Sequence, residues 1–177
     1  MYTITSGYIS PYFVNTPERA TTEFDDAYVL LVDKTISVVQ PLLPILEAVV
    51  RSGRSLLIVA RDVDGEALTT LVLNKLRGGL KVCAVKVPGP DFSDTLAALA
   101  QATGSYVVSD DALEKPEELD LDDLGTDKPH VVVTKDRAFL SESKIPEEDI
   151  PHLIPTSEAT PGGILLPSGP FLDDSAQ

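Results

Sequence analysis

Ser37-Val38-Val39-Gln40-Pro41-Leu42-Leu43-Pro44-Ile45-Leu46-Glu47-Ala48-Val49-Val50-Arg51-Ser52-Gly53, followed after a short apolar run by Asp64-Gly65-Glu66-Ala67-Leu68-Thr69-Thr70-Leu71-Val72-Leu73-Asn74-Lys75-Leu76-Arg77-Gly78-Gly79, carries the pattern that decides the fold. Each segment reads as a helix with more apolar surface than one core requires. At ~100° per residue, Leu42, Ile45 and Val49 form one stripe of the first helix. Leu43, Leu46 and Val50 form a second stripe, offset by roughly 100°. The second helix repeats the excess, with Leu68, Leu71, Val72, Leu73 and Leu76 spread over about half its circumference. Either both helices are covered on two sides, or one stripe of each waits for a partner and the pair frames a groove. Periodicity leaves both readings open.

Local signals set the expected ends. Ser37 with Gln40 matches a capping box. Pro41 falls in the first turn, whereas Pro44 lies deeper and predicts a local bend. Gly53 closes the helix as a left-handed cap. Asp62 and Asp64 supply caps and favourable charge at the start of the second helix, which Gly78-Gly79 ends.

Outward from this pair, apolar runs at Tyr28–Asp33, Leu56–Ala60 and Lys81–Lys86 read as buried parallel strands. Ser93–Thr103 reads as a helix, Ser105–Ser109 and His130–Thr134 as strands, and Leu113–Leu124 as an acidic segment. This alternation predicts an α/β fold with a parallel sheet and right-handed crossovers. Gly7-Tyr8-Ile9-Ser10-Pro11-Tyr12-Phe13 predicts an extended segment, because Pro11 biases Ser10 away from helix. It suggests extra strands beside the parallel layer. Asn15-Thr16-Pro17-Glu18 reads as a turn. Past Lys144 the chain turns polar, with Pro146, Pro151, Pro155, Pro161, Pro167 and Pro170, and predicts an irregular tail or linker over 145–177.

Composition narrows the function. The 177 residues suit one domain, and an apolar fraction of 43% is that of a globular chain. Twenty-eight acidic residues against 14 basic ones leave a net charge of −14. Such a surface repels phosphate backbones and anionic lipid, which argues against nucleic-acid and membrane partners. No apolar run reaches the roughly 18 to 20 residues of a membrane span. The N-terminus lacks the basic and apolar regions of a signal peptide. A lone Cys83 excludes an internal disulfide and a cysteine-based zinc site. Its apolar neighbours make it a buried structural thiol, and a cysteine-poor chain fits a reducing setting, cytoplasmic or an organelle matrix.

Catalytic constellations are missing from the sequence. His130 and His152 have no ligand-type neighbours at metal spacing. Asp33, Asp62 and Asp64 follow strand ends, where open α/β sheets place their sites. An acidic domain binding Mg²⁺ or phosphate at Asp33 and Asp62 is therefore the alternative reading, although helix capping accounts for Asp62 and Asp64. Neither Gly78-Gly79 nor Gly162-Gly163 sits in a phosphate loop, and no G-x-S-x-G elbow exists. The sequence predicts a non-enzymatic module with no catalytic residue and no metal site.

Gly7 to Asn15, Pro44 to Val49, Asp62 to Asn74 and Val82 to Gly89 closely resemble the apical domain of group I chaperonins, the GroEL type. Order and spacing match without a gap from Gly7 to Gly89. Weaker similarity continues through Thr103-Gly104, Asp122 to Gly125 and Val131 to Asp136, so the resemblance covers roughly the first three quarters of the chain. It implies a three-layer β/β/α apical domain over 1–144, with a parallel sheet, flanking helices and extra N-terminal strands. It also implies a hydrophobic groove between two helices that captures non-native polypeptide, for which the co-chaperonin's mobile loop competes. By position in the matching motifs, that role falls on Tyr8, Ser10, Tyr12, Phe13, Leu43, Leu46, Leu68, Val72, Leu73 and Asn74. Leu43-Leu46-Val50 then becomes the stripe left for ligand, and Leu42-Ile45-Val49 the stripe for the core.

Some positions depart from the family. Gln40 and Arg61 stand where it usually has a basic and an acidic residue, and Pro88 to Ser93 is shorter than its loop and lacks the basic cluster. The phosphate-binding G-D-G-T-T motif is not in this sequence. Full-length members use ATP and Mg²⁺ in a domain outside the resemblance, so no cofactor is expected in this chain. The parent is expected to be a ring oligomer and the isolated domain a monomer. A degenerate chaperonin-like scaffold is the third reading.

Overall fold

The computed structural model describes residues 2–37, 40–77, 79–87, 92–105, 107–108 and 129–153. In chain order the strands are β1 (Tyr2–Ile4), β2 (Thr22–Phe24), β3 (Ala27–Val32), β4 (Thr35–Ile36), β5 (Ser55–Ala60), β6 (Asp62–Val63), β7 (Val82–Lys86), β8 (Val107–Val108), β9 (His130–Val133) and β10 (Ala138–Ser141). The three long helices are α1 (Leu43–Ser52), α2 (Gly65–Leu76) and α3 (Phe92–Thr103). Backbone contacts divide the chain into Met1–Lys144 and Ile145–Gln177.

In the first unit the apolar runs become a parallel sheet of order β7-β5-β3-β8. Val29 lies opposite Leu57, which lies opposite Cys83, and all three are fully buried. Covering on both faces is what near-continuous apolar strands require. Pairing steps from β3 to β5 to β7 in one direction, so right-handed crossovers set α1 and α2 side by side on one face. A two-stranded parallel pair, β4 with β6, ties the connections that lead into these helices.

A second sheet, antiparallel and of order β1-β10-β9-β2, was only partly expected. Its strands β1 and β2 lie on either side of the expected extended segment Gly7–Phe13, in which Tyr8 makes an isolated bridge to Val85 and Pro11–Phe13 turns into a 3-10 helix. His130–Val133, however, does not extend the parallel series: it lies antiparallel between β10 and β2. The cause is local. Thr134 donates its N–H to Arg137 O at 2.7 Å, and its Oγ1 accepts from Arg137 N at 3.0 Å. That tight turn makes β9–β10 a hairpin, and a hairpin can only be antiparallel. Strand β10, at four residues, is too short and mixed to stand out in the sequence. Ile4, Ala138 and Val133 share one row across this sheet. With Phe24, Val131 and Leu140 they join the core that the parallel sheet and α1–α3 also build.

Helix α1 begins later than expected. Gln40–Leu42 forms a 3-10 turn, and Leu42 precedes α1 with no side-chain cap. Ser37 and Gln40 instead reach the second helix: Ser37 Oγ donates to Asp64 Oδ1 at 2.7 Å, and Gln40 Nε2 to Glu66 Oε1 at 3.2 Å. Pro44 therefore sits in the first turn of α1, where a missing N–H costs no ladder bond. The ladder bond whose loss predicts a mid-helix bend is therefore not lost. Gly53 ends α1 at φ 76°, as the sequence predicts. Asp64 precedes α2 without a capping hydrogen bond, and Asp62 Oδ1 accepts from Val63 N at 2.9 Å. Helix α2 closes at Leu76, just before Gly78-Gly79.

In the second unit, the predicted irregular tail contains a 3-10 turn, Glu147–Asp149, running into a short helix, Ile150–Leu153. Pro146 starts it, its carbonyl accepting from Asp149 N at 2.9 Å. Residues 154–177, the acidic Leu113–Leu124 and the Pro88-Gly89-Pro90 break lie outside the described residues.

Candidate functional site

The aromatic segment is anchored before it turns. Gly7 lies so close to the β9–β10 turn that a Cβ would stand 2.1 Å from Thr134 O. Tyr8 N donates to that same carbonyl at 3.2 Å, and Ile9 N to Ala84 O at 2.9 Å. Pro11–Phe13 then makes one 3-10 turn, with Ser10 Oγ accepting from Tyr12 N at 3.2 Å. Proline at the first position suits that turn, since its fixed φ is already helical. Phe13 is driven into the core with no exposure, and Tyr12 is left 62% exposed.

Helix α2 lies beside this turn. Taking Ala67 as 0° and about 100° per residue, buried Leu71 lies near 40°, half-buried Leu68 and Val72 near 100° and 140°, and exposed Leu76 and Leu73 near 180° and 240°. Two polar contacts say what each flank faces. Lys75, near 80° on the same wheel, donates to Val14 O at 2.9 Å. Leu68 and Val72 thus look toward the aromatic segment. Glu66, near 260°, accepts from Gln40, which precedes α1. Leu73 thus looks toward α1, which presents Leu43 and Val50 at 40% and 43% exposure. The apolar arc of α2 overruns its core contact, with the excess on two flanks, one beside the aromatic segment and one on the side of the Gln40 contact.

The structure sorts the candidate residues accordingly. Tyr12, Leu43 and Leu73 are exposed apolar walls. Leu68 and Val72 are half-buried floor, packed against the core. Tyr8 is half-buried and donates its hydroxyl to Ala20 O at 3.2 Å. Asn74 is exposed beyond Leu73, its Nδ2 turned back on Thr70 O at 2.7 Å. Leu46, expected on the wet stripe, is 6% exposed. It lies only about 60° from fully buried Val49 around the helix, so the core arc of α1 widens to take it in. Phe13 and Ser10 are likewise buried and act as the anchor and cap that present Tyr12. Val50 and Leu76 were not among the candidates, although the widths of both apolar arcs already contained them.

At the alternative site a carboxylate meets a cation. Asp33 Oδ1 faces Arg61 Nη2 at 3.9 Å, and the Arg61 guanidinium lies over the Phe92 ring, 4.3 Å from its centre. Among the described residues, no group of three or more His, Cys, Asp or Glu side chains could hold a metal ion. Cys83 is fully buried, and desolvation raises its pKa to about 12, far from thiolate chemistry. A cavity of about 480 Å³ opens near the C-terminal ends of α1 and α2, lined by Phe13, Asn15, Arg54, Lys75 and Lys81 among others. Its charges are engaged within the fold, Arg54 with Asp26 at 3.8 Å, Lys75 with Val14 and Lys81 with Gly53 O at 3.4 Å. No helix among the described residues is long and apolar enough to cross a membrane.

No family model matches the chain. It is similar to the Chaperonin GroEL of Wolbachia sp. subsp. Brugia malayi (strain TRS), 57% identical over 139 residues, or 76% of this chain and 25% of that protein. It is 53% identical over 135 residues to the Chaperonin GroEL of Wolbachia pipientis wMel, covering 73% of this chain and 24% of that one. Chaperonin GroEL of Ehrlichia canis is 55% identical over 133 residues, 73% of this chain and 32% of that protein. The chain thus spans about a quarter to a third of the length of these relatives. Over the roughly three quarters that align, it belongs to the GroEL-type chaperonins.

Proposed function

We propose that residues 1–144 are the apical, polypeptide-binding domain of a GroEL-type chaperonin, with the β/β/α layering of that domain. They capture exposed apolar segments of non-native chains on α1, α2 and the Pro11–Phe13 turn. One observation carries this reading. Among the described residues, the large apolar side chains left exposed are Tyr12, Leu43, Val50, Leu73 and Leu76, and every one sits on these three elements. Scattered exposed leucines mean little, but a cluster confined to adjoining elements marks a binding face.

Binding here is burial without covalent chemistry, and it needs no cofactor in this chain. Covering about 300 Å² of apolar surface is worth roughly 7 kcal/mol before ordering costs. Those costs leave micromolar affinity or weaker for a single site. Leucine and valine walls make no directional demand, so the surface tolerates many sequences. Peptide polar groups at the rim, where Asn74 stands, orient an extended ligand. A co-chaperonin loop with apolar side chains competes for the same walls. In a ring, several such faces act on one client and multiply avidity, an advantage that a monomeric domain lacks. On this reading ATP turnover is the work of other parts of the parent.

The test uses exposed positions, because Leu46 would confound binding with folding. Leu43→Glu and Leu73→Glu are made in the full chain, and binding of a fluorescein-labelled peptide with alternating apolar residues is followed by anisotropy. Affinity is expected to fall at least about tenfold with the melting temperature held, a loss of ~1.4 kcal/mol or more. Unchanged affinity in both variants overturns the reading.

A further inference from the structure

We propose that Lys75 is a positioning residue for the binding face: its ammonium clamps the aromatic turn against α2 and joins two furrows into one continuous surface. This rests on the polypeptide-binding reading above and adds a residue and a division of labour that neither the exposed leucines nor the comparisons supply.

The turn that carries Tyr12 is otherwise tied to the sheets. Upstream, Ile9 N donates to Ala84 O at 2.9 Å; downstream, Thr22 Oγ1 donates to Phe13 O at 2.8 Å, and Asn15 and Thr16 donate their N–H groups to Thr21 O. None of these bonds reaches α2. The Lys75 Nζ bond to Val14 O, at 2.9 Å, spans 61 residues of sequence and does. Lys75 is half-buried. Leu71 and Val72 precede it by one turn on the same flank of α2, the positions beside which a lysine stem can lie, while the head group reaches a main-chain oxygen. Near a helix C-terminus a cation already gains from the last-turn carbonyls. Here the ammonium is directed to the neighbouring segment instead.

The consequence is a division of the face. By helical position Leu73 falls on the flank of α2 that meets Gln40, ahead of exposed Leu43 and Val50 on α1, and Leu68 and Val72 fall toward the flank that meets the turn carrying Tyr12; on this proposal each flank lines one furrow. Leu76, 57% exposed, lies on the crest between them. A short apolar peptide fills the first furrow alone. A longer one crosses the crest and uses Tyr12, provided the turn is held. Lys75 therefore governs preference for long ligands over short ones.

Lys75→Met keeps the stem and removes the bond. In the full chain, a long labelled peptide with alternating leucines is expected to bind about three- to tenfold more weakly, while a short leucine-rich peptide binds as before. Lys75→Arg restores the long-peptide affinity. Tyr12→Ala reproduces the Lys75→Met loss, and the double variant is no worse than either single one. Equal losses for both peptides, or additive losses in the double variant, overturn the proposal. If Lys75→Met unfolds, exposed Tyr12→Ala carries the test, and unchanged long-peptide affinity there is fatal. Loss of binding in Leu73→Glu with no effect of Lys75→Met or Tyr12→Ala sinks this inference alone. Retained binding in Leu73→Glu and Leu43→Glu sinks the groove reading beneath it.

Discussion

Gly7 shows how one residue sets the position of the proposed binding face. Any Cβ there meets main-chain atoms, with Thr134 O at 2.1 Å and Lys135 O at 2.2 Å. Backbone cannot step aside as a flexible side chain can, so Gly7→Ala must push β9–β10 and the aromatic segment apart. A loss of about 3 kcal/mol is expected, at the upper end of overpacking costs. It is checked by the urea midpoint, and peptide binding should fall with it because Tyr12 moves. Leu46 and Leu73 make the complementary pair. At 6% exposure Leu46→Ala opens a cavity and should cost about 2–4 kcal/mol. Leu73→Ala, at 44% exposure, should change stability by less than about 0.5 kcal/mol while weakening binding. Equal stability losses in the two variants would refute the distinction between core and face.

Elements were readable where one period dominates and unreadable where a contact distant in sequence decides. Three buried parallel strands and α1–α3 follow from apolar runs in their own residues, and the end of α1 from Gly53. The α1 start does not. Ser37 and Gln40 carry the side chains of a capping box, yet Asp64 and Glu66, more than 20 residues on, take both. Likewise, the strand His130–Val133 is plain in sequence but its antiparallel partner is dictated by the Thr134–Arg137 turn, whose bonds no periodicity records. The same limit applies to the site. Arc width on α2 announced surplus apolar surface, but the direction each flank faces came from Lys75 and Glu66 bonds. Strand β9 carries a testable element-scale effect. His130 is buried at 4% exposure; desolvation lowers its pKa below 6.5, against the opposing pull of Asp25 at 3.6 Å, while Lys144 lowers it and Glu23 and Asp26 raise it. The unfolded chain therefore takes up the proton first. Stability from the neutral form is complete above about pH 6.5 and declines as pH falls toward the depressed folded value. The melting temperature should drop between pH 7.5 and 5.5, and His130→Gln should shrink that drop. An identical drop in the variant would assign the effect elsewhere. Glu23 answers in a lower window. Burial opposes its charge, but the Arg19 pair and the Thr21 hydroxyl win and hold its pKa below 4.5. Its contribution is therefore present above that value and lost only at more acidic pH.

For the whole molecule, on the polypeptide-binding reading proposed above, the net charge of −14 should act on which peptides arrive rather than on how they are held. The walls of the face are uncharged leucine, valine and tyrosine, so bound-state contacts do not select for charge. Encounter does, since a summed negative field draws cationic peptides and repels anionic ones over a Debye length of about 10 Å at 0.1 M salt. Two peptides with the same alternating leucines, one with lysine and one with glutamate between them, should therefore differ in association rate by about tenfold or more at low ionic strength. Their dissociation rates should stay within about a factor of two, because the buried contacts are the same. Raising salt to roughly 0.5 M should bring the two association rates together. Stopped-flow mixing with labelled peptides reads both rates directly. A difference that persists at high salt, or that sits in dissociation, would mean that charged groups such as Glu47, Glu66 or Arg77 contact the ligand. The face would then be a polar, sequence-selective site and not the permissive apolar one that Tyr12, Leu43, Val50, Leu73 and Leu76 describe.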